Sequence, residues 1–126
     1  MNIKKSIVGS LFSMLLVSEM AAADWGDVYY CQETNYIEIS LEGEMQNYKL
    51  EKFQFKLDQT KNAMVFGSTG FFKDSVKELT TGRNWPSKEE WYASDKYSIA
   101  YFGEGKFLYT RNGFGIRSIS ADCDKF

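Results

Sequence analysis

Two pairs of acidic residues are the first candidates for chemistry in this chain: Glu89 with Glu90, and Asp122 with Asp124 on either side of Cys123. Two carboxylates act as acid and base when the fold holds them about 5 to 10 Å apart across a cleft. Adjacency along the chain does not supply that geometry, and solvated surface charge is the expected role of all four. A calcium site would need six or more oxygen ligands, a density that no loop here offers. Histidine is absent from the sequence, which removes Ser-His-Asp and Cys-His nucleophile systems and the usual imidazole metal sites. Gly67-Ser68-Thr69-Gly70 lacks the Lys-Ser/Thr pair and the following helix of a phosphate loop. No catalytic residue, metal or cofactor is expected, and the chain reads as a non-enzyme.

Aromatic side chains make up 17% of the chain, enough to ask whether some form a platform for a glycan or another ligand. Phe53, Phe55, Phe66, Phe107 and Tyr109 sit within strand patterns and are expected to fill a core. Trp85, Trp91 and Tyr92 sit in a charged, irregular stretch and are the candidate partner- or glycan-binding residues. A tryptophan in such a loop is either a recognition anchor or a plug that pins the loop to the core.

The elements that must position these residues repeat with period two, the period of strands. Val28 to Gln32 is an aromatic run. Tyr36 to Leu41 sets Ile37, Ile39 and Leu41 against Glu38 and Ser40, one apolar face and one polar. Lys52 to Asp58 alternates again, and a bulge or bend near Glu51 would reconcile its parity with that of Tyr48 and Leu50. Ala63 to Gly67 is its partner across a polar connection. Tyr97 to Phe102, Lys106 to Arg111 and Phe114 to Cys123 continue the pattern, joined by Gly103-Glu104-Gly105 and Asn112-Gly113. In the last strand Ile119, Ala121 and Cys123 form the expected inward set. Residues 71–95 break the rhythm, with the single proline, Pro86. Short helical turns are expected at Asp74 to Leu79 and from Ser87, which has capping-box spacing to Glu90. The fold class expected is all-β: an antiparallel meander of about six to eight strands, forming a barrel or a sandwich, with one long irregular or partly helical connection at 71–95.

Residues 1–23 read as a cleavable secretory signal, leaving 24–126 as a single β domain. Lys4 and Lys5 precede an apolar stretch from Ile7 to Val17, and Ala21-Ala22-Ala23 places small residues at a cleavage site before Asp24. The apolar stretch falls short of the roughly 20 residues of a membrane span, so none is expected after cleavage. Residues 24–126 carry a net charge of about −3, which suits a soluble domain and disfavours nucleic acid as a partner. The two cysteines, Cys31 and Cys123, are expected to form a disulfide joining the first and last strands in an oxidising compartment, periplasmic or extracellular. Two separate buried thiols are the alternative.

Tyr29-Tyr30-Cys31 near the start and Cys123 near the end resemble the corresponding ends of the membrane-bound and periplasmic C-type lysozyme inhibitors. The Ser-Gly-x-x-Tyr loop of those proteins has Ser68-Thr69-Gly70-Phe71-Phe72 as its nearest text here, which departs in spacing and in residue. Three functions are therefore expected in order: a binding or interaction module for a protein or glycan, an inhibitor of a cell-wall hydrolase such as lysozyme, and a barrel holding a small apolar ligand.

Overall fold

The computed structural model describes residues 23–80 and 90–126. They form nine strands and, among the described residues, no helix: β1 (Val28–Ile39), β2 (Met45–Asn47), β3 (Lys52–Asp58), β4 (Ala63–Phe66), β5 (Val76–Glu78), β6 (Glu90–Ser94), β7 (Ser98–Gly103), β8 (Lys106–Gly113) and β9 (Gly115–Lys125). Eight run side by side in the order β5-β4-β3-β1-β9-β8-β7-β6, with the short β2 paired to β1 off that path. All pairings are antiparallel. The sheet curls until its two edge strands meet, giving a nearly closed barrel. The Thr80 amide donates to the Tyr92 carbonyl at 2.8 Å, and the Thr80 and Ser94 hydroxyls lie 2.9 Å apart.

Alternation explains the interior. Phe53 and Phe55 of β3, Phe66 of β4, Phe102 of β7 and Phe107 of β8 all point inward and are buried. Phe72, in the turn after β4, folds in to join them. The rings meet mostly edge to face or tilted: Phe53 and Phe107 at 5.1 Å between centroids, Phe55 and Phe102 at 5.1 Å, Phe72 and Phe107 at 5.2 Å. Such offsets suit the ring quadrupole, and strand positions suit aromatic residues. The inward set of β9 is Ile119, Ala121 and Cys123, as its alternation predicts. Cys31 and Cys123 are direct cross-strand partners and form the disulfide between the first and last strands.

Turn chemistry fixes the hairpins. Glu104 and Gly105 both take positive φ, at 50° and 75°, between Gly103 and its partner Lys106, as a two-residue hairpin turn of the mirror-image type requires. The β8–β9 turn is tighter still, with Gly113 paired to Gly115 and Phe114 alone at the tip. Gly115 takes a φ of 106°, and a Cβ there would collide with the Ile39 carbonyl.

The 71–95 stretch contributes strands at both ends. The expected helical turn at Asp74 to Leu79 is instead β5, paired with β4 through Met64 and Lys77. Its backbone groups find a ready partner in the free edge of β4, and a lone helical turn has no comparable gain. Ser87 and the start of the second expected turn lie outside the described residues, and Glu90 is the first residue of β6. The run Val28–Gln32 and the first part of the run Tyr36–Leu41 are joined into one long β1, which ends at Ile39. Near Glu51 the chain leaves the sheet between β2 and β3, where the bend was expected. The bulge itself sits elsewhere, between Glu33 and Asn35 of β1.

Candidate functional site

That bulge decides what the barrel shows to its surroundings. Tyr29, Cys31 and Glu33 point inward on β1. An unbroken strand would continue with 35, 37 and 39 inward, burying Ile37 and Ile39. Thr34 is an extra residue opposite β9, because Glu33 pairs with Ala121 and Asn35 with Ser120. One inserted residue reverses every later side chain. Tyr36 and Glu38 therefore turn inward, and Ile37 and Ile39 turn out. The inward Glu38 is matched by Arg117 of β9: Arg117 Nη2 donates to Glu38 Oε2 at 2.8 Å, and the Tyr48 hydroxyl donates to Glu38 Oε1 at 2.9 Å. These bonds hold the Glu38 carboxyl below its ordinary range. The guanidinium lies over the rings of Phe71, Tyr48 and Tyr36, at 5.1, 5.5 and 5.7 Å.

The outward face can be followed strand by strand. One row runs Met45, Ile39, Ile116, Asn112 across β2, β1, β9 and β8. The next runs Asn47, Ile37, Ser118, Thr110, Ile99, Ser94, reaching β6. A third runs Asn35, Ser120, Leu108, Tyr101, Tyr92. No charged residue occurs in these three rows. The fourth row restores charge, with Asp122 bound to Lys106 and Glu90 at its far end. By contrast, the outward residues of β3 are Lys52, Gln54, Lys56 and Asp58.

The polar groups within the uncharged face largely satisfy one another. Ser120 Oγ lies 2.8 Å from Thr34 Oγ1 and accepts from Asn35 Nδ2 at 2.8 Å. Thr110 and Ser118 hydroxyls are 3.4 Å apart. Hydroxyls already paired cost less to remove from water than free ones. Between them stand the half-exposed Ile116, Ile99 and Leu108 (46%, 49% and 50%), with Met45 and Leu41 more open at one end. Phe114 at the β8–β9 tip is 96% exposed. The result is an uncharged surface in which apolar side chains alternate with Asn, Ser and Thr.

Of the residues singled out in the sequence, Trp91 and Tyr92 are neighbours on β6 and point to opposite sides. Trp91 is buried in the core, its ring edge-on to Trp25 at 4.9 Å between centroids. Tyr92 ends the third outward row, its ring 5.0 Å from Tyr101. Trp85 and Glu89 lie outside the described residues. Asp122 forms its ion pair with Lys106, Asp124 is exposed, and no cluster of three metal-binding side chains occurs among the described residues. The buried carboxylate is a different one, Glu33, 1% exposed. Its Oε1 accepts from the Glu51 amide at 2.8 Å, and its Oε2 has no partner. Burial raises its pKa, and the Glu51 amide partly opposes that shift. Its inward position on the sheet and its isolation from solvent leave it no access to a substrate.

No known protein family, curated protein or solved structure matches this chain.

Proposed function

We propose that this chain is a non-enzymatic interaction module that binds a partner protein through the uncharged outer face of β1, β9, β8 and β7. One observation carries the reading: the Thr34 bulge turns Ile37 and Ile39 outward and Glu38 inward. The bulge buries Tyr36 in exchange, yet turning two isoleucines outward and a carboxylate inward has a cost that the rest of the fold offsets. Half-exposed Ile116, Ile99 and Leu108, with Met45 and Leu41 beside them, give this face apolar anchors for a partner. Charge-depleted centres ringed by charge are the pattern of protein interfaces, and the row of Lys106, Asp122 and Glu90 supplies such a rim on one side. A protein is favoured over a glycan because the exposed groups are mainly aliphatic, whereas sugar rings are met by flat exposed aromatic faces. Tyr92 belongs to this surface, and Trp91 supports it from beneath.

The module acts outside the cytoplasm, with residues 1–23 as its secretory signal. The Cys31–Cys123 disulfide supports an oxidising compartment, periplasmic or extracellular. The rings that fill the barrel centre weigh against an apolar ligand held there. Inhibition of a cell-wall hydrolase is the specific form of the interaction that a lysozyme turbidity assay tests.

A photoreactive side chain at Leu108, introduced in the native host, should crosslink to one protein species. The same probe at Lys56, on the charged side of the barrel, should not. The purified partner should then bind the wild-type chain and fail to bind a Leu108→Lys/Ile116→Lys variant that remains folded. A crosslink only to a second copy of the chain would replace the partner with self-association. Retention on peptidoglycan without any protein adduct would replace it with a glycan.

A further inference from the structure

The seam where the barrel fails to close is a different place with a different chemistry. Between β5 and β6 a cavity of about 620 Å³ opens, lined among others by the cation Lys77, the carboxylates Glu78 and Asp95, and Leu79, Thr80 and Ser94. Lys77 is the inward residue of β5, opposite the buried Met64. Its ammonium lies 5.1 Å from the centre of the Tyr109 ring and 5.9 Å from that of Phe72. It makes no hydrogen bond or ion pair among the described residues, so its three donors are unspent. Burial pushes its pKa down, Asp95 pushes it up, and Arg111 pushes it down.

The neighbouring carboxylates do not answer that charge. Asp95 is taken up by its own turn: its Oδ1 accepts from the amides of Tyr97 and Ser98, both at 2.8 Å, and its Oδ2 from the Ser98 hydroxyl at 3.0 Å. Glu78 is exposed, on the outward parity of β5. Arg111, opposite Ser98 across β7 and β8, adds a second positive charge at this end of the barrel. A half-buried ammonium with ring contacts but no hydrogen-bonded counter-ion is incompletely compensated for its lost hydration. The surroundings of that cation are apolar and aromatic on one side, from Phe72, Tyr109, Leu79 and Ala93. They are hydroxyl-bearing on the other, from Thr80, Ser94 and Ser98. A cavity of this size falls in the range of small-molecule sites.

We propose that the β5–β6 cavity binds a small organic anion, a carboxylate on an apolar or aromatic body, with Lys77 as its counter-ion. The anionic group takes the donors of Lys77 and the one hydroxyl proton that the Thr80–Ser94 pair leaves free, and the body lies against Leu79 and Ala93. This site is distinct from the centre of the outer face, since Lys77 points inside the barrel wall and Ile116 and Leu108 stand outside it; Ser94, at the end of the second outward row, also lines the cavity.

The test uses a matched pair of probes, 2-naphthoate and the neutral 2-naphthamide, titrated into the folded, disulfide-bonded protein. Calorimetry gives the affinities, and amide shifts in nitrogen–proton spectra give the location. Naphthoate should bind at least tenfold more tightly than the amide, with shifts centred on Lys77, Thr80 and Ser98. Lys77→Met keeps the length and apolar stem of the side chain and should erase that preference, while Lys77→Arg should retain it. The Leu108→Lys/Ile116→Lys variant should bind naphthoate as the wild type does. Equal affinity for the two probes, shifts confined to the outer face, or an unchanged preference in folded Lys77→Met would overturn the proposal. So would failure of naphthoate to bind at millimolar concentration.

Discussion

The indole of Trp25 meets that of Trp91 edge to face, with ring centres 4.9 Å apart. Trp25 lies in the turn before β1 and Trp91 in β6, so the contact ties the start of the described chain to one flank of the barrel seam. Trp91 is buried in this contact. Replacing it with alanine is expected to cost about 3–5 kcal/mol of stability, as for other buried aromatic residues. Urea unfolding would show this as a lower midpoint. Any remaining folded protein should bind its partner normally, and lost binding with unchanged stability would assign Trp91 to the contact surface instead.

Charge placed on the outer face should have the opposite signature. Leu108 and Ile116 are half exposed and outward, so lysine at both positions should change stability by no more than about 0.5 kcal/mol each. Partner binding should fall at least a hundredfold, since lysine is disfavoured at interface centres. Midpoints from denaturation beside calorimetric affinities would separate the two effects.

Glu33 gives the fold a pH dependence of definite sign. Burial raises its pKa in the folded state above the unfolded value. The folded form then holds its proton more tightly, so Glu33 contributes most stability below the unfolded pKa. That contribution is lost as pH rises through the unfolded and then the folded value. Glu33→Gln keeps an acceptor for the Glu51 amide and never ionises. It is expected to be more stable than wild type at neutral pH, with the gain shrinking toward pH 4. Thermal melts across pH 4 to 8 would check this, and a gain independent of pH would mean that folding does not shift the Glu33 pKa.

Removing the disulfide should be costly. It closes a separation of 92 residues, for which the chain-entropy account gives about 4–5 kcal/mol. The double variant Cys31→Ala/Cys123→Ala should lose about that much in urea unfolding. A loss below about 1 kcal/mol would show that the β1–β9 pairing already restrains the unfolded chain.

Much of the fold was legible in the alternation of β3, β7, β8 and β9, because those strands run without interruption and one face is buried throughout. The disulfide followed from two cysteines placed in the first and last strands. The orientation of Ile37 and Ile39 was hidden because it depends on a single inserted residue, Thr34. Nothing in Thr34 or its neighbours distinguishes a bulge from an ordinary polar position. The partner strand β9, distant in sequence, defines it. Lys77 was hidden for a related reason: residues 74–79 carry too few apolar positions to fix a period, and its inward direction comes from pairing with β4. Glu33 shares the parity of Tyr29 and Cys31, but the aromatic run read from the sequence ends at Gln32, and its burial comes from the length of β1.

The strand order β5-β4-β3-β1-β9-β8-β7-β6 has a consequence for how the chain assembles. Each half pairs almost entirely with its sequence neighbours, and one long β1–β9 pairing joins the halves. Local hairpins close early at little entropic cost, while docking the halves waits on a search across nearly the whole polypeptide. Joining the present ends and cutting between β5 and β6 would turn that remote pairing into a local one. The rearranged chain would be a simple up-and-down meander, expected to fold faster into the same barrel.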